Sequence, residues 1–136
     1  MTTYKYVLAQ DGERKHDIKN TGEYKIVCEY VEGLAGEYGR TWGHRATLYK
    51  DGEQVARCTY KYYNRTWERY TYESVLHGVL YKHKQNMIKS VCDDIRKHTS
   101  NGRLARGTKK NLQEIFDNIY ADFDKKITDN ALEKEF

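Results

Sequence analysis

Residues 71–95, TYESVLHGVLYKHKQNMIKSVCDDI, mark the point where the hydrophobic period of this chain changes. Val75, Leu76, Val79, Leu80, His83, Met87, Ile88, Val91 and Ile95 recur in steps of three and four, the spacing of an apolar stripe on one helix of about 25 residues. Thr71 is placed to cap it and Asn101-Gly102 to follow its end, which predicts a helix over 71–99. A second helix over 108–128, starting at Thr108, repeats the spacing with Leu112, Ile115, Phe116, Ile119, Tyr120, Phe123 and Ile127.

Upstream the period is two. In EYKIVCEYV (23–31) Tyr24, Ile26, Cys28 and Tyr30 alternate with Lys25, Val27 and Glu29, the pattern of a strand with one face more buried. TYKYVLA (3–9) reads as another strand. Asp51-Gly52 lies between RTWGHRATLY and EQVARCTYKYY and suits a two-residue type I′ turn, because both residues tolerate positive φ; this predicts a hairpin with Leu48 opposite Val55. The glycine-rich EGLAGEYG (32–39) is expected to be a mobile loop. Strands followed by helices predict an α+β fold: a meandering antiparallel β-sheet of about four strands within 1–63, packed against a two-helix C-terminal hairpin. A length of 136 residues fits a single domain over 1–136.

Composition narrows the functional classes. Thirteen tyrosines raise the aromatic fraction to 13%, which supplies large buried area and argues against disorder. No apolar run reaches the length of a membrane span, and MTTYKYVLAQ lacks the apolar core of a signal peptide, so a cytoplasmic chain without a membrane partner is expected. Cys28, Cys58 and Cys92 are odd in number and widely spaced, so they are expected to be reduced, half-buried small hydrophobes. The five histidines, His16, His44, His77, His83 and His98, have no metal-ligand spacing. Glu73 and His77 share a helix face at i, i+4, as ordinary surface pairs do. No phosphate-binding loop, nucleophile elbow or HExxH motif occurs, so the expectation is a non-enzymatic protein with no catalytic residues, metal or cofactor.

Charge is where the sequence becomes specific. Residues 80–110 carry nine basic and two acidic side chains, whereas 111–136 carry three and seven. Such a partition within one small domain produces a directional field. Lys82, Lys89 and Arg96 are spaced by seven and line up on the face of the first helix away from its apolar stripe. Arg96, Arg103, Arg106, Lys109 and Lys110 then run through the connection into the second helix without an intervening acid. Lys109 and Lys110 stand at a helix N-terminus, where cations are disfavoured, and a bound phosphate or carboxylate would offset that.

A second basic stretch interleaves with rings. Arg57, Lys61, Arg65 and Arg69 recur every four residues among Tyr60, Tyr62, Tyr63, Trp67, Tyr70 and Tyr72. Single-stranded or looped nucleic acid needs this mixture, its bases stacking while the cations track phosphates. A structural corner needs rings as well. Trp67 and Tyr70 are expected to cover the junction of sheet and first helix, with Asn64 shaping the turn.

The stretch ATLYKDGEQVARCTYKYYNRTWERYTYESVL (46–76), 31 of the 136 residues, resembles a pattern in small accessory proteins of phages, plasmids and integrative elements of Firmicutes. Its LYKDG hairpin leads into YYNRTWERY and a helix. Such proteins include compact, motif-free inhibitors of the anti-CRISPR and anti-restriction type. The resemblance implies a mobile-element protein acting in the host cell, with a CRISPR effector nuclease, its guide RNA or its target DNA as partner. Many such inhibitors are acidic mimics of nucleic acid; this chain has a basic middle, so plain mimicry does not fit. A direct DNA- or RNA-binding accessory protein and a structural or scaffold phage protein are the alternatives.

Overall fold

The structure is a computed structural model and describes residues 6–8, 24–36 and 39–134. In chain order the elements are β1 (Tyr6–Leu8), β2 (Tyr24–Gly36), β3 (Gly39–Lys50), β4 (Glu53–Tyr62), a 3-10 turn (Arg65–Trp67), α1 (Glu68–Lys97) and α2 (Thr108–Glu133). The fold is α+β. Three antiparallel strands, β2, β3 and β4, form a meander, and the two helices follow it.

The expected fourth antiparallel strand differs from what is found. Only Tyr6–Leu8 of the 3–9 stretch lies within the described residues, and it joins the outer edge of β2 in parallel, with Tyr6 opposite Tyr24. Adjacent parallel strands need a crossover rather than a tight hairpin, so strand spacing along the chain does not reveal the direction of pairing. Of the expected loop at 32–39, residues 32–36 and 39 are strand, while 37 and 38 lie outside the described residues: β2 continues to Gly36 and pairs with a β3 that begins at Gly39. Glu32 and Gly33 form a bulge opposite Trp42, made possible by Gly33 at φ 70°.

At the second hairpin both turn residues take positive φ, Asp51 at 52° and Gly52 at 85°, as a type I′ turn requires. The register beyond it departs from expectation. Tyr49 faces Gln54 but Leu48 faces Ala56, so Val55 is the extra residue of a bulge. The shift puts the small Ala56 opposite Leu48 on the face that receives α1, and Val55 packs beside it against the same core.

That core is formed by Ile26, Ala46, Leu48 and Ala56 of the sheet against Val75, Leu76, Val79 and Leu80 of α1. All but Ala56 are at most 2% exposed. Burying a Leu or Ile side chain contributes roughly 1.5–3 kcal/mol, so truncating Leu76 or Leu48 to alanine removes on the order of 3 kcal/mol. On the far face of the sheet Arg57 Nε donates to Thr47 Oγ1 (3.3 Å) and Arg45 Nε to Thr59 Oγ1 (3.2 Å), laying aliphatic stems along the threonines. The cysteines are free, with Cys92 buried and the other two half-buried.

Both helices differ in extent from the sequence reading. Asn64 Oδ1 accepts from the Thr66 amide (3.1 Å) and starts the 3-10 turn that feeds α1, so the helix begins at Glu68 and Thr71 is a buried residue inside it rather than its cap. α2 runs past 128 to Glu133 because Ile127 and Ala131 continue its buried stripe. α2 packs mainly on α1, not on the sheet. Their seam is polar at seven-residue steps: Lys84 Nζ bonds Asp117 (2.6 Å), and His77 Nδ1 meets Asp124 (3.3 Å). Tyr72 donates to Asn130 (3.1 Å) further along. Seven residues is two turns, so one face of each helix meets the other in antiparallel register.

Two histidines lie inside this fold. His44 sits among Tyr30, Tyr62 and Tyr72 at 5.6–6.0 Å between ring centroids, with Glu68 3.9 Å from its Nε2. His83 lies between Tyr24 and Tyr120. Burial lowers the pKa of both below 6.5; near His44 the Glu68 carboxylate opposes this, and near His83 Lys50 reinforces it. Below pH 6.5 the unfolded chain binds protons that the folded one excludes, so stability is full at neutral pH and falls as pH decreases. Urea midpoints measured between pH 7.5 and pH 5 should decrease accordingly. His83→Phe keeps a ring but has no proton to gain, so part of the slope should disappear; an unchanged slope in both His83→Phe and His44→Phe would refute this account.

Candidate nucleic-acid interface

The junction of β4 with α1 is already filled before Trp67 is reached. Tyr62 is buried, stacking on His44 (5.8 Å) and Trp42 (6.3 Å), while His44 meets Tyr72 edge-on. The following 3-10 turn then aims Trp67 and Tyr70 outward, and they are 58% and 65% exposed. The expectation that these two rings cover the junction is therefore wrong. They meet each other edge to face at 6.0 Å, and Tyr60 and Tyr63 are exposed close by in sequence.

Beside them opens a cavity of about 670 Å3, lined by Tyr60 and Lys61 from β4 and by Tyr70, Ser74, Gly78 and Tyr81 among the residues of α1. Gly78 lets β4 approach here: a Cβ on it would stand 2.9 Å from Tyr60 Oη and 3.1 Å from Cys58 Sγ. Tyr70, Ser74, Gly78 and Tyr81 share one helix face, with two small residues between two rings. Sequence reasoning missed this cleft, although rings flanking small residues at steps of four, four and three are a legible signal for it.

Two phenols here, the exposed Tyr60 and the buried Tyr62, have raised pKa values. A hydrogen bond with the Cys58 thiol raises the Tyr60 pKa, and burial, reinforced by the Glu68 carboxylate, pushes Tyr62 up to about 12. Neither phenol therefore cancels the positive charge of Lys61 and Arg65 near neutral pH. Thr71, Glu73 and His77 complete the cavity wall. Both ring nitrogens of His77 face α2, Nδ1 toward Asp124 and Nε2 toward Thr128 Oγ1 (3.3 Å each), with Glu73 3.8 Å from Nε2. That makes it a fastener of the helix pair. Among the described residues no group of three or more His, Cys, Asp or Glu side chains is arranged to hold a metal ion.

The basic residues singled out from sequence divide into groups. Lys61 lines the aromatic cavity and Arg65 lies in the exposed turn leading to Trp67. Arg57 does not join them: its side chain lies on the far face of the sheet, while its carbonyl accepts from Lys82 Nζ (3.1 Å). Lys89, Arg96 and Lys109 come together around a second cavity, of about 290 Å3. Arg103, Arg106 and Lys110 are exposed on and just after the connection between the helices.

Arg69 has a structural task. Its guanidinium donates to the carbonyls of Leu132 (3.2 Å) and Lys134 (3.1 Å), closing the C-terminal end of α2, where unsatisfied carbonyls and the helix dipole favour a cation. Arg69→Ala should lower stability by about 1 kcal/mol, the value for charge-assisted bonds discounted for exposure. Arg65→Ala should leave it unchanged; thermal unfolding of the two variants checks the contrast.

No protein-family model, no curated protein and no solved structure matches this chain.

Proposed function

We propose that this chain is a non-enzymatic binding protein that holds a single-stranded or looped segment of nucleic acid on the surface made by the end of β4, the 3-10 turn and the N-terminal half of α1. The observation that carries the reading is the outward display of Trp67 and Tyr70, which meet edge to face, with Tyr60, Tyr63 and Tyr81 also 43% or more exposed, and the convergence of Tyr60, Lys61, Tyr70 and Tyr81 on one cavity. Exposed rings add little to the fold, whereas stacking on a base is worth about 1–3 kcal/mol per base and cations beside the rings match the phosphates.

In its most concrete form this is a mobile-element inhibitor of an RNA-guided nuclease, acting in the bacterial cytoplasm on exposed guide RNA or on target DNA. A ring-lined basic surface suits contact with those strands better than mimicry of them. Among the described residues no helix is long and apolar enough to cross a membrane. Direct binding of bare DNA or RNA is the second reading, which the same exposed rings and cations would serve. A gel shift separates the two: a bare strand is shifted by a direct binder, while an inhibitor selective for the assembly is retained only by the ribonucleoprotein and blocks target cleavage.

Trp67→Ala and Tyr70→Ala should each change unfolding free energy by less than about 1 kcal/mol, as expected of exposed side chains. Each should weaken binding of a 12-nucleotide single strand or of the ribonucleoprotein about tenfold, since one lost stack of about 1.4 kcal/mol is a factor of ten. If either variant loses several kcal/mol of stability while binding is unchanged, the rings are structural and the reading fails.

A further inference from the structure

The second cavity lies between the C-terminal half of α1 and the first turn of α2. Gln85, Lys89, Cys92 and Arg96 of α1 and Lys109 of α2 line it, together with Ile88 and Asn86. No carboxylate is among these residues. Arg96 also bonds Asp93 at 3.2 Å, but that acid does not line the cavity. The antiparallel register that sets Lys84 against Asp117 and His77 against Asp124 brings Lys109 beside Cys92 when carried two turns further. At that end α2 offers cations where the rest of the seam offers acids. Its first turn carries no acidic residue, and its N-cap, Gly107, supplies no side-chain hydrogen bond.

Gln85, a half-buried side chain, adds a donor to this lining. Its side-chain Nε2 is buried without a hydrogen-bond partner, and a buried donor left unsatisfied is unfavourable enough to call for an explanation. An acceptor in the cavity would satisfy it. Three cations, one donor amide and a helix N-terminus around 290 Å3 together suit a tetrahedral oxyanion.

Position relates this cavity to the aromatic one. Ser74, Gly78, Tyr81, Gln85, Lys89, Cys92 and Arg96 follow one another in steps of three and four, so both cavities open along the same face of α1. From Gly78 to Lys89 is a rise of about 16 Å at about 1.5 Å per residue. We infer that the cavity bounded by Lys89, Arg96, Lys109 and Gln85 is a phosphate seat, and that it takes a backbone phosphate of a strand whose bases lie at Tyr60, Tyr70 and Tyr81. The second half of this inference rests on the function proposed above; the first does not.

Inorganic pyrophosphate and oligothymidylates are the probes. Pyrophosphate titrated into the 15N-labelled full chain should shift the Gln85 side-chain amide and the Lys109 backbone amide, and Lys89→Gln/Lys109→Gln should abolish the shift with thermal unfolding unchanged. Oligothymidylate affinity should rise at least about tenfold between two and six nucleotides, once the strand reaches from rings to seat. In the double variant that gain should disappear, and the slope of log affinity against log salt should fall by about 0.7 for each phosphate no longer neutralised. Gln85 and Lys109 signals indifferent to pyrophosphate, or a double variant that binds six nucleotides with wild-type affinity and salt slope, would overturn the seat while leaving the aromatic surface standing. Pyrophosphate binding without any strand binding would instead establish the seat and remove the proposed function.

Discussion

The packing of α1 on the sheet is the interaction on which the rest of this molecule depends. Val75, Leu76, Val79 and Leu80 lie on Ile26, Ala46, Leu48 and Ala56, and the two alanines and Gly78 keep β3 and β4 close to the helix axis. The bulge at Val55 is part of the same arrangement, since without it Leu48 would face Val55 and not Ala56. Because α2 packs mainly on α1, α1 acts as a central beam with the sheet on one side and the second helix on another. Its remaining exposed face carries both cavities.

The α1–α2 seam has a different chemistry from the α1–sheet layer. Phe116, Tyr120, Phe123 and Ile127 supply its buried area, and the polar pairs at seven-residue intervals fix the register between the helices. Registry is the best-attested use of such pairs, since exposed ion pairs contribute little to stability. One end of the seam is closed by Arg69 on the last carbonyls of α2. The other end leaves Lys89, Arg96 and Lys109 around an open space. The difference in charge between the two ends of α2 follows from this layout: its acidic half meets α1 through Lys84 and His77, and its basic start faces solvent and the cavity.

The aromatic surface is a consequence of supply exceeding need. Tyr62, Tyr72 and His44 fill the space where β4 turns into α1, and Asn64 starts a turn that carries the next rings outward. Trp67 and Tyr70 are left with little of the sheet–helix junction to cover, next to Lys61 and Arg65. Large exposed rings in a cluster mark an interaction site more often than isolated ones do.

How much of this was legible in the sequence depends on whether periodicity or three-dimensional crowding decides a residue's fate. The period-two run at Tyr24–Tyr30, the Asp51-Gly52 turn and the three- and four-residue steps of both helices follow from backbone geometry, and they set the α+β order of elements. The basic middle of the chain was equally plain, because charge is a property of composition. The parallel direction of β1, the bulges at Gly33 and Val55 and the exposure of Trp67 were not legible, since each depends on what a distant segment already occupies. The same holds for the cations: sequence identified two basic stretches, and only tertiary structure divided them into a cap for α2 (Arg69), a side chain on the far face of the sheet (Arg57), a lysine bonded to that residue's carbonyl (Lys82), a flank of the aromatic cleft (Lys61 and Arg65), a cluster around a second cavity and the exposed cations of the helix connection. Local rules determine which residues form each element, and packing between elements determines which side chains are left to act.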